Sequence, residues 1–254
     1  MKVSVRCFKC DEEARKSNET RFPKHSSLNL PVRDDGVYEV ECVNGHAITC
    51  ILQAQLFELL FQIACNATLD EYYREGVASA NCALERFFEL FIRIICSSKS
   101  LDESEIEACW KNVSRQSERQ LGAYMFLYLS EFKEQPLLLD KKYIEYRNSV
   151  IHKGKIPTHD ETWAFLNAVY ALIIGVLYRL HENGFSKNIG ETIFKHQKVA
   201  LQKKKMVSAK NSFLSMPTIL DVSDFVSEER SPKTSRELSL ERLKSIKKSW
   251  ERYV

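Results

Sequence analysis

Apolar and polar positions alternate through the first fifty residues. Residues 2–7, KVSVRC, and 37–42, VYEVEC, both repeat with a period of two, the pattern of half-buried strands. Between them, residues 11–35 are polar and carry Pro23, Pro31 and an Asp34-Asp35-Gly36 turn signal. From Ile51 the period becomes helical. ILQAQLFELLFQIAC is apolar on nearly every side and predicts a well-buried helix. A second helix is predicted over about 69–96, where Tyr73, Val77, Leu84, Phe88, Phe91 and Ile95 recur at helical spacing. SLDESEIEACW opens a third, with Ser100 or Asp102 as N-cap and acids in its first turn. That helix is expected to run to about Phe132, weakened at Gly122 and stopped by Pro136.

A shorter helix is predicted from Asp140 to about Ile151, ended by the turn chemistry of HKGKIP. Thr158 and Glu161 then form a T-x-x-E capping box before an apolar helix from Trp163 to about His181. Residues 195–206 read as helical. Residues 207–237, polar and punctuated by Pro217 and Pro232, read as a linker or poorly ordered segment. ELSLERLKSIKKSWERY places Leu240, Leu243, Ile246 and Trp250 along one side of an amphipathic terminal helix. The fold class expected is mainly α, in three parts: a small β module over 1–50, a helical bundle over 51–190 and a basic helical extension over 191–254.

Length and composition allow one large domain or two small ones, with ample material for a core. The formal charge of +3 hides an asymmetry. Residues 195–254 hold 14 Lys and Arg against 7 Asp and Glu, hence +7; the remainder holds 23 against 27, hence −4. A basic end of this kind is a solvated tail or a contact for RNA or an acidic partner. The longest apolar stretch, 163–180, contains Asn167 and Arg179 and falls short of an uninterrupted membrane span, so a buried helix is expected and no membrane association. MKVSVRC has no apolar run of a secretion signal, which makes the cytoplasm the expected compartment and reduced thiols or metal ligands the expected state of the eight cysteines.

Two of those cysteines form a C-x2-C, Cys7 and Cys10, and Cys42 with His46 forms a C-x3-H about thirty residues on. Two close pairs, each expected at a hairpin turn, can aim four donors at one tetrahedral zinc. Asn44-Gly45 supplies the positive φ such a loop needs. Cys50 and His25 compete with His46 as the fourth ligand. Four protein donors leave no open position, so the zinc is expected to be structural, holding together a module too small for a core of its own. The pattern resembles zinc ribbons and rubredoxin-like knuckles. Cys65, Cys82, Cys96 and Cys109 lie singly in helical patterns and read as small core residues.

The most reactive set of side chains lies in EYRNSVIHKGKIPT, residues 145–158. Arg147 and His152 are five apart, about 140° around a regular helix. They converge if the helix ends near Ile151 and frees His152, or if a second copy of the chain brings its own pair alongside. The set suits RNA cleavage without a metal. A histidine of near-neutral pKa moves the 2′-hydroxyl or leaving-group proton, and an arginine holds the phosphate bidentately as its charge builds. Asn148 can bond a phosphate oxygen or orient the histidine, and Lys153 and Lys155 add attraction for the RNA backbone. Glu85 and Glu89, one turn apart among aromatics, read either as a polar pair near the site or, the commoner case, as a salt-bridged or solvated face. There is no Gly-rich phosphate loop, no nucleophile elbow and no H-E-x-x-H.

RNSVIH, residues 147–152, resembles the R-x4-6-H motif of the HEPN superfamily (higher eukaryote and prokaryote nucleotide-binding). Residues 72–94 look like the long early helix of that fold, and 146–173 like its motif helix, turn and following apolar helix. The resemblance covers roughly 51–181. It implies a metal-independent endoribonuclease acting as a homodimer with a composite Arg/His site and leaving 2′,3′-cyclic phosphates. Arg147 and His152 would be catalytic and Asn148 supporting. Such proteins serve as toxins or abortive-infection, antiviral effectors, which implies an antitoxin or a phage-derived trigger as partner. The superfamily also holds members without cleavage that act as binding modules; the zinc module and the basic C-terminus would then recruit a partner or nucleic acid. A zinc-ribbon transcriptional regulator would need a DNA-recognition helix, for which the chain carries no signature.

Overall fold

The computed structural model describes residues 1–17, 27–202 and 211–251. Among the described residues the chain is mainly helical, with two small sheets, and it divides into two compact units. One comprises Met1–Ala54, Lys195–Pro217 and Ser245–Val254, the other Gln55–Phe194 and Thr218–Lys244.

In the first unit, β1 (Lys2–Arg6) pairs antiparallel with β2 (Ser27–Pro31), Val3 opposite Leu30 and Val5 opposite Leu28. Helix α1 (Phe8–Lys16) follows β1 directly, in a stretch whose polarity suggested loop; its buried residues are Cys10, Asp11 and Ala14, and the rest of its surface is solvated. β3 (Val37–Glu41) and β4 (Ala47–Leu52) form a hairpin with Tyr38 opposite Cys50. Ile51 and Leu52, expected in the first long helix, finish β4 instead. β5 (Asn211–Leu214) adds to β4 in parallel, Ile51 opposite Phe213. Trp250 is buried and donates its indole N–H to the Pro217 carbonyl at 2.7 Å.

In the second unit, α2 (Leu56–Leu69) opens on a capping box between Gln55 and Glu58. It packs against α3 (Tyr73–Ser98) so closely that a Cβ on Gly76 would lie 2.5 Å from Thr68 Oγ1, which explains a glycine inside a helix. α4 (Glu103–Val113) is capped by Asp102, whose carboxylate accepts from the Ser104 amide at 2.8 Å. The expected single helix to Phe132 breaks at 114–116 rather than bending at Gly122. The Gln120 side chain donates to the Ser114 carbonyl at 2.9 Å and Arg119 to Asn112 at 3.0 Å, so tertiary groups satisfy the broken end.

Helix α5 (Ser117–Phe132) resumes there and lays Tyr124, Tyr128 and Phe132 against Phe88 and Phe91 of α3, with ring centroids 4.4 Å apart for Phe88 and Tyr124. α6 (Lys141–His152) and α7 (His159–Glu182) follow, the latter with both bonds of the expected Thr158/Glu161 box. α7 is long and apolar enough to cross a membrane by length and composition, but 56% of that apolar window is buried inside the protein, as in a core helix. α8 spans Ser186–Gln202 and α9 Leu240–Glu251. On α9, Leu243, Ile246 and Trp250 are buried as the spacing predicted, whereas Leu240, placed on the same side, is exposed.

Residues 211–237 are structured, contrary to the linker expectation. Beyond β5, Ile219 and Val222 donate their amides to Gln62 and Glu58 of α2 at 3.0 and 2.9 Å. A 3-10 turn, Val222–Phe225, buries Phe225 against Tyr178, and Asp224 accepts from the Lys233 and Thr234 amides at 2.8 and 2.6 Å. Partners on α2, 157 and 164 positions away, and on α7, rather than local periodicity, anchor this segment.

Candidate metal centre and polar cleft

Cys7 ends β1 as the N-cap of α1, and Cys10 lies in that helix's first turn. The pair therefore sits at a strand-to-helix junction, not at the hairpin turn expected. The helix N-terminus offers its amide dipoles to the two sulfurs, a favourable place for thiolates. Cys42 and His46 flank the β3–β4 turn, where the Gly45 amide donates to the Cys42 carbonyl at 2.9 Å and Gly45 takes φ +77°. The four donor atoms all lie within 4.8 Å of one another.

The spacing suits a tetrahedral ion. Metal–sulfur bonds of about 2.3 Å give tetrahedral sulfur–sulfur edges of about 3.8 Å. The Cys10 and Cys42 sulfurs are 3.7 Å apart, and His46 Nδ1 is 3.6 and 3.4 Å from the Cys7 and Cys10 sulfurs. His46 Nε2 points instead at Glu13, 3.4 Å away, the carboxylate–imidazole relay that orients a metal-binding histidine. Asn44 Nδ2 donates to the Cys10 sulfur at 3.4 Å. Burial pushes the Cys10 thiol up to about 12, so a bound cation has a proton to displace. This Cys3His cluster can hold a metal ion such as zinc. Cys50, weighed as a fourth ligand, is buried outside the cluster; His25 lies outside the described residues.

The second feature belongs to the helical unit. Tyr143 and Tyr146 pack their rings on Phe165 of α7, and Val150 is fully buried, so one face of α6 is fixed. The opposite face carries Ile144, Arg147, Asn148 and His152 into a cleft of about 520 Å³. Arg147 and His152 stand at the two edges of that face, about 140° apart, and the cleft wraps far enough round α6 to take both. The helix includes His152 as its last residue, and both Arg147 and His152 line this cleft of a single chain. Lys153 also lines the cleft. Lys155 does not: its ammonium pairs with Glu161 and lies 5.1 Å over the Tyr146 ring.

Of the other walls, the sequence had raised only Glu85. α3 contributes Asn81, Leu84, Glu85 and Phe88, and α5 contributes Ser117, Glu118 and Leu121. Leu138 and Leu139 come from the α5–α6 connection, which the Tyr124 hydroxyl holds by donating to the Leu137 carbonyl at 2.9 Å. Glu89, one turn beyond Glu85, is salt-bridged to Arg86 at 2.8 Å and Arg93 at 3.1 Å, as the sequence suggested. Glu85 is different. Its Oε1 accepts from the Asn81 amide at 3.0 Å and the Ser117 hydroxyl at 2.9 Å, and it has no cationic partner among the described residues. The Asn81/Glu85 spacing of four was the only local hint that this residue faced a polar neighbour.

Arg147, Asn148 and His152 likewise make no side-chain hydrogen bond or ion pair among the described residues. Acidic and basic groups thus face one cleft without closing on each other. Leu84, Leu121 and Ile144 flank the cleft with apolar surface, and its volume lies in the range of small-molecule sites. An uncommitted guanidinium beside an imidazole in such a cleft can bind a phosphate and exchange a proton with it. No family model, no curated protein and no solved structure matches the chain.

Proposed function

We propose that the protein is a metal-independent endoribonuclease of the HEPN type, cleaving RNA in the cleft lined by Arg147, Asn148 and His152. The observation that carries this reading is an arginine and a histidine at R-x4-H spacing lining one cleft, with the guanidinium making no hydrogen bond or ion pair among the described residues. Arg147 holds the non-bridging oxygens of the scissile phosphate, where charge grows as phosphorus becomes five-coordinate. His152 exchanges a proton with the reacting oxygens, Asn148 orients the phosphate or the imidazole, and Lys153 attracts the backbone. The 2′-oxygen attacks the adjacent phosphorus, leaving a 2′,3′-cyclic phosphate and a free 5′-hydroxyl.

The active species is a homodimer. Leu138 and Ile144, at the cleft, and Phe126 on α5 are exposed apolar residues that a second copy would cover. The zinc held by Cys7, Cys10, Cys42 and His46 is structural, since four protein donors leave no position for substrate. In the cell the protein acts in the cytoplasm as a toxin or abortive-infection effector, restrained by an antitoxin or released by a phage-derived trigger. The test is incubation of purified protein with RNA in chelator. Cleavage with cyclic-phosphate ends, abolished by His152→Ala, supports the reading; cleavage that persists in the variant, or that requires added Mg²⁺, overturns it. Intact RNA together with a co-purifying partner would indicate a binding module instead.

A further inference from the structure

Cyclisation of RNA needs two proton transfers, one from the attacking 2′-oxygen and one to the departing 5′-oxygen, and the motif supplies one histidine per chain. The cleft supplies another candidate. We infer that Glu85 is a catalytic residue, the general base that takes the 2′-hydroxyl proton, with His152 as the general acid; this rests on the endoribonuclease reading above.

Three observations converge on Glu85. First, it lines the same cleft as Arg147 and His152, from the facing helix α3. Second, its two partners are neutral. Asn81 and Ser117 fix the side chain from one side without neutralising it, and both bonds fall on Oε1, leaving Oε2 without a hydrogen bond among the described residues. Glu89, by contrast, spends its charge on Arg86 and Arg93. Third, the cations of the cleft, Arg147 and Lys153, stand apart from it rather than bridging to it. A carboxylate held in place, uncommitted and across a gap from a phosphate-binding arginine is arranged to accept a proton from what fills the gap. The charged groups that share the cleft with it are Glu118 from α5 and Arg147, His152 and Lys153 from α6 and its end.

The step balances within one chain. Glu85 Oε2 takes the proton of the 2′-hydroxyl as the 2′-oxygen forms its bond to phosphorus. The phosphorus–5′-oxygen bond breaks, and its electron pair takes the proton that His152 imidazolium donates. Glu85 ends protonated and His152 neutral, and solvent exchange restores both. The second copy then closes the cleft rather than providing the missing proton acceptor.

The experiment compares wild type, Glu85→Gln and Glu85→Ala on a short RNA across a pH series, with thermal unfolding as a control. Gln keeps an oxygen for Asn81 and Ser117, so fold and dimer are retained. The expected result is a loss of about 100-fold or more in the cleavage rate for Glu85→Gln, disappearance of the acidic limb of the pH–rate profile, and partial rescue of Glu85→Ala by formate. A merely structural glutamate would move neither the limb nor the formate response. Cleavage by Glu85→Gln within about threefold of wild type, with the acidic limb intact, overturns the base assignment and leaves the Arg147/His152 reading standing. RNA left whole by the wild-type protein overturns both.

Discussion

Glu58 gives the helical unit a pH-dependent stability that can be calculated in advance. It lies in the first turn of α2 with 2% of its surface exposed. One oxygen accepts from the Gln55 amide at 2.5 Å, and the other from the Val222 amide at 2.9 Å and the Thr218 hydroxyl at 3.4 Å. Burial lifts its pKa from 4.5 to about 8, against those donors, which favour the carboxylate. Between the two values the folded chain keeps a proton that the unfolded chain has released. The stabilisation is therefore complete below 4.5 and is lost as pH climbs through about 8. Each pH unit in that interval removes about 1.4 kcal/mol, or about 4 kcal/mol across most of it.

Urea unfolding of wild type and Glu58→Gln, followed by circular dichroism at a series of pH values, isolates this group, because every other titration is common to both proteins. A carboxamide turns an N–H₂ toward an existing donor, so the variant starts weaker at acid pH by about 1–3 kcal/mol. The difference should then move in the variant's favour by about 4 kcal/mol as pH rises. Parallel stability curves for the two proteins would refute the reasoning, showing that the donors hold Glu58 ionised throughout.

Three further outcomes are expected. Cys10→Ser should lower bound zinc, measured by elemental analysis, from one ion per chain to none, and Glu13→Gln should weaken zinc affinity about 10-fold or more by releasing His46. Arg93→Met should destabilise the helical unit by about 1–3 kcal/mol in urea unfolding, since it leaves Glu89 with Arg86 alone, removes the 2.6 Å partner of the half-exposed Glu107, and takes the guanidinium off the Trp110 ring. Gly76→Ala should lower stability by about 1–3 kcal/mol, because the new methyl displaces Thr68 Oγ1 from its 2.8 Å bond to the Ala64 carbonyl.

Local chemistry was legible in the sequence; long-range closure was not. The Asp102 cap, the Thr158/Glu161 box, and the strand of Val3 and Val5 all follow from residues within a few positions of one another, and all are present. The Cys7, Cys10, Cys42 and His46 set was also readable, because ligand spacing in each pair is local, although α1 was hidden by its mostly solvated surface. Arg147, Asn148 and His152 could be picked out as a motif. Glu85 could be weighed only as one of two readings and Ser117 not at all, since their place beside the motif depends on how α3, α5 and α6 pack. The segment after β5 failed for the same reason: Glu58 and Gln62 determine its path, and nothing near Ile219 or Val222 announces them.

The pairing of β4 with β5 has a consequence during synthesis. The metal knuckles and the β3–β4 hairpin leave the ribosome early, but the strand that completes their sheet follows some 160 residues later, after every helix from α2 to α8. Until then β4 presents a bare row of amides and carbonyls, an invitation to mispair with a neighbouring nascent chain. A chain released after α8 but before residue 214 therefore carries α2 to α8 while the edge of β4 stays open. Early zinc loading would then serve as the temporary clamp on that half-finished unit.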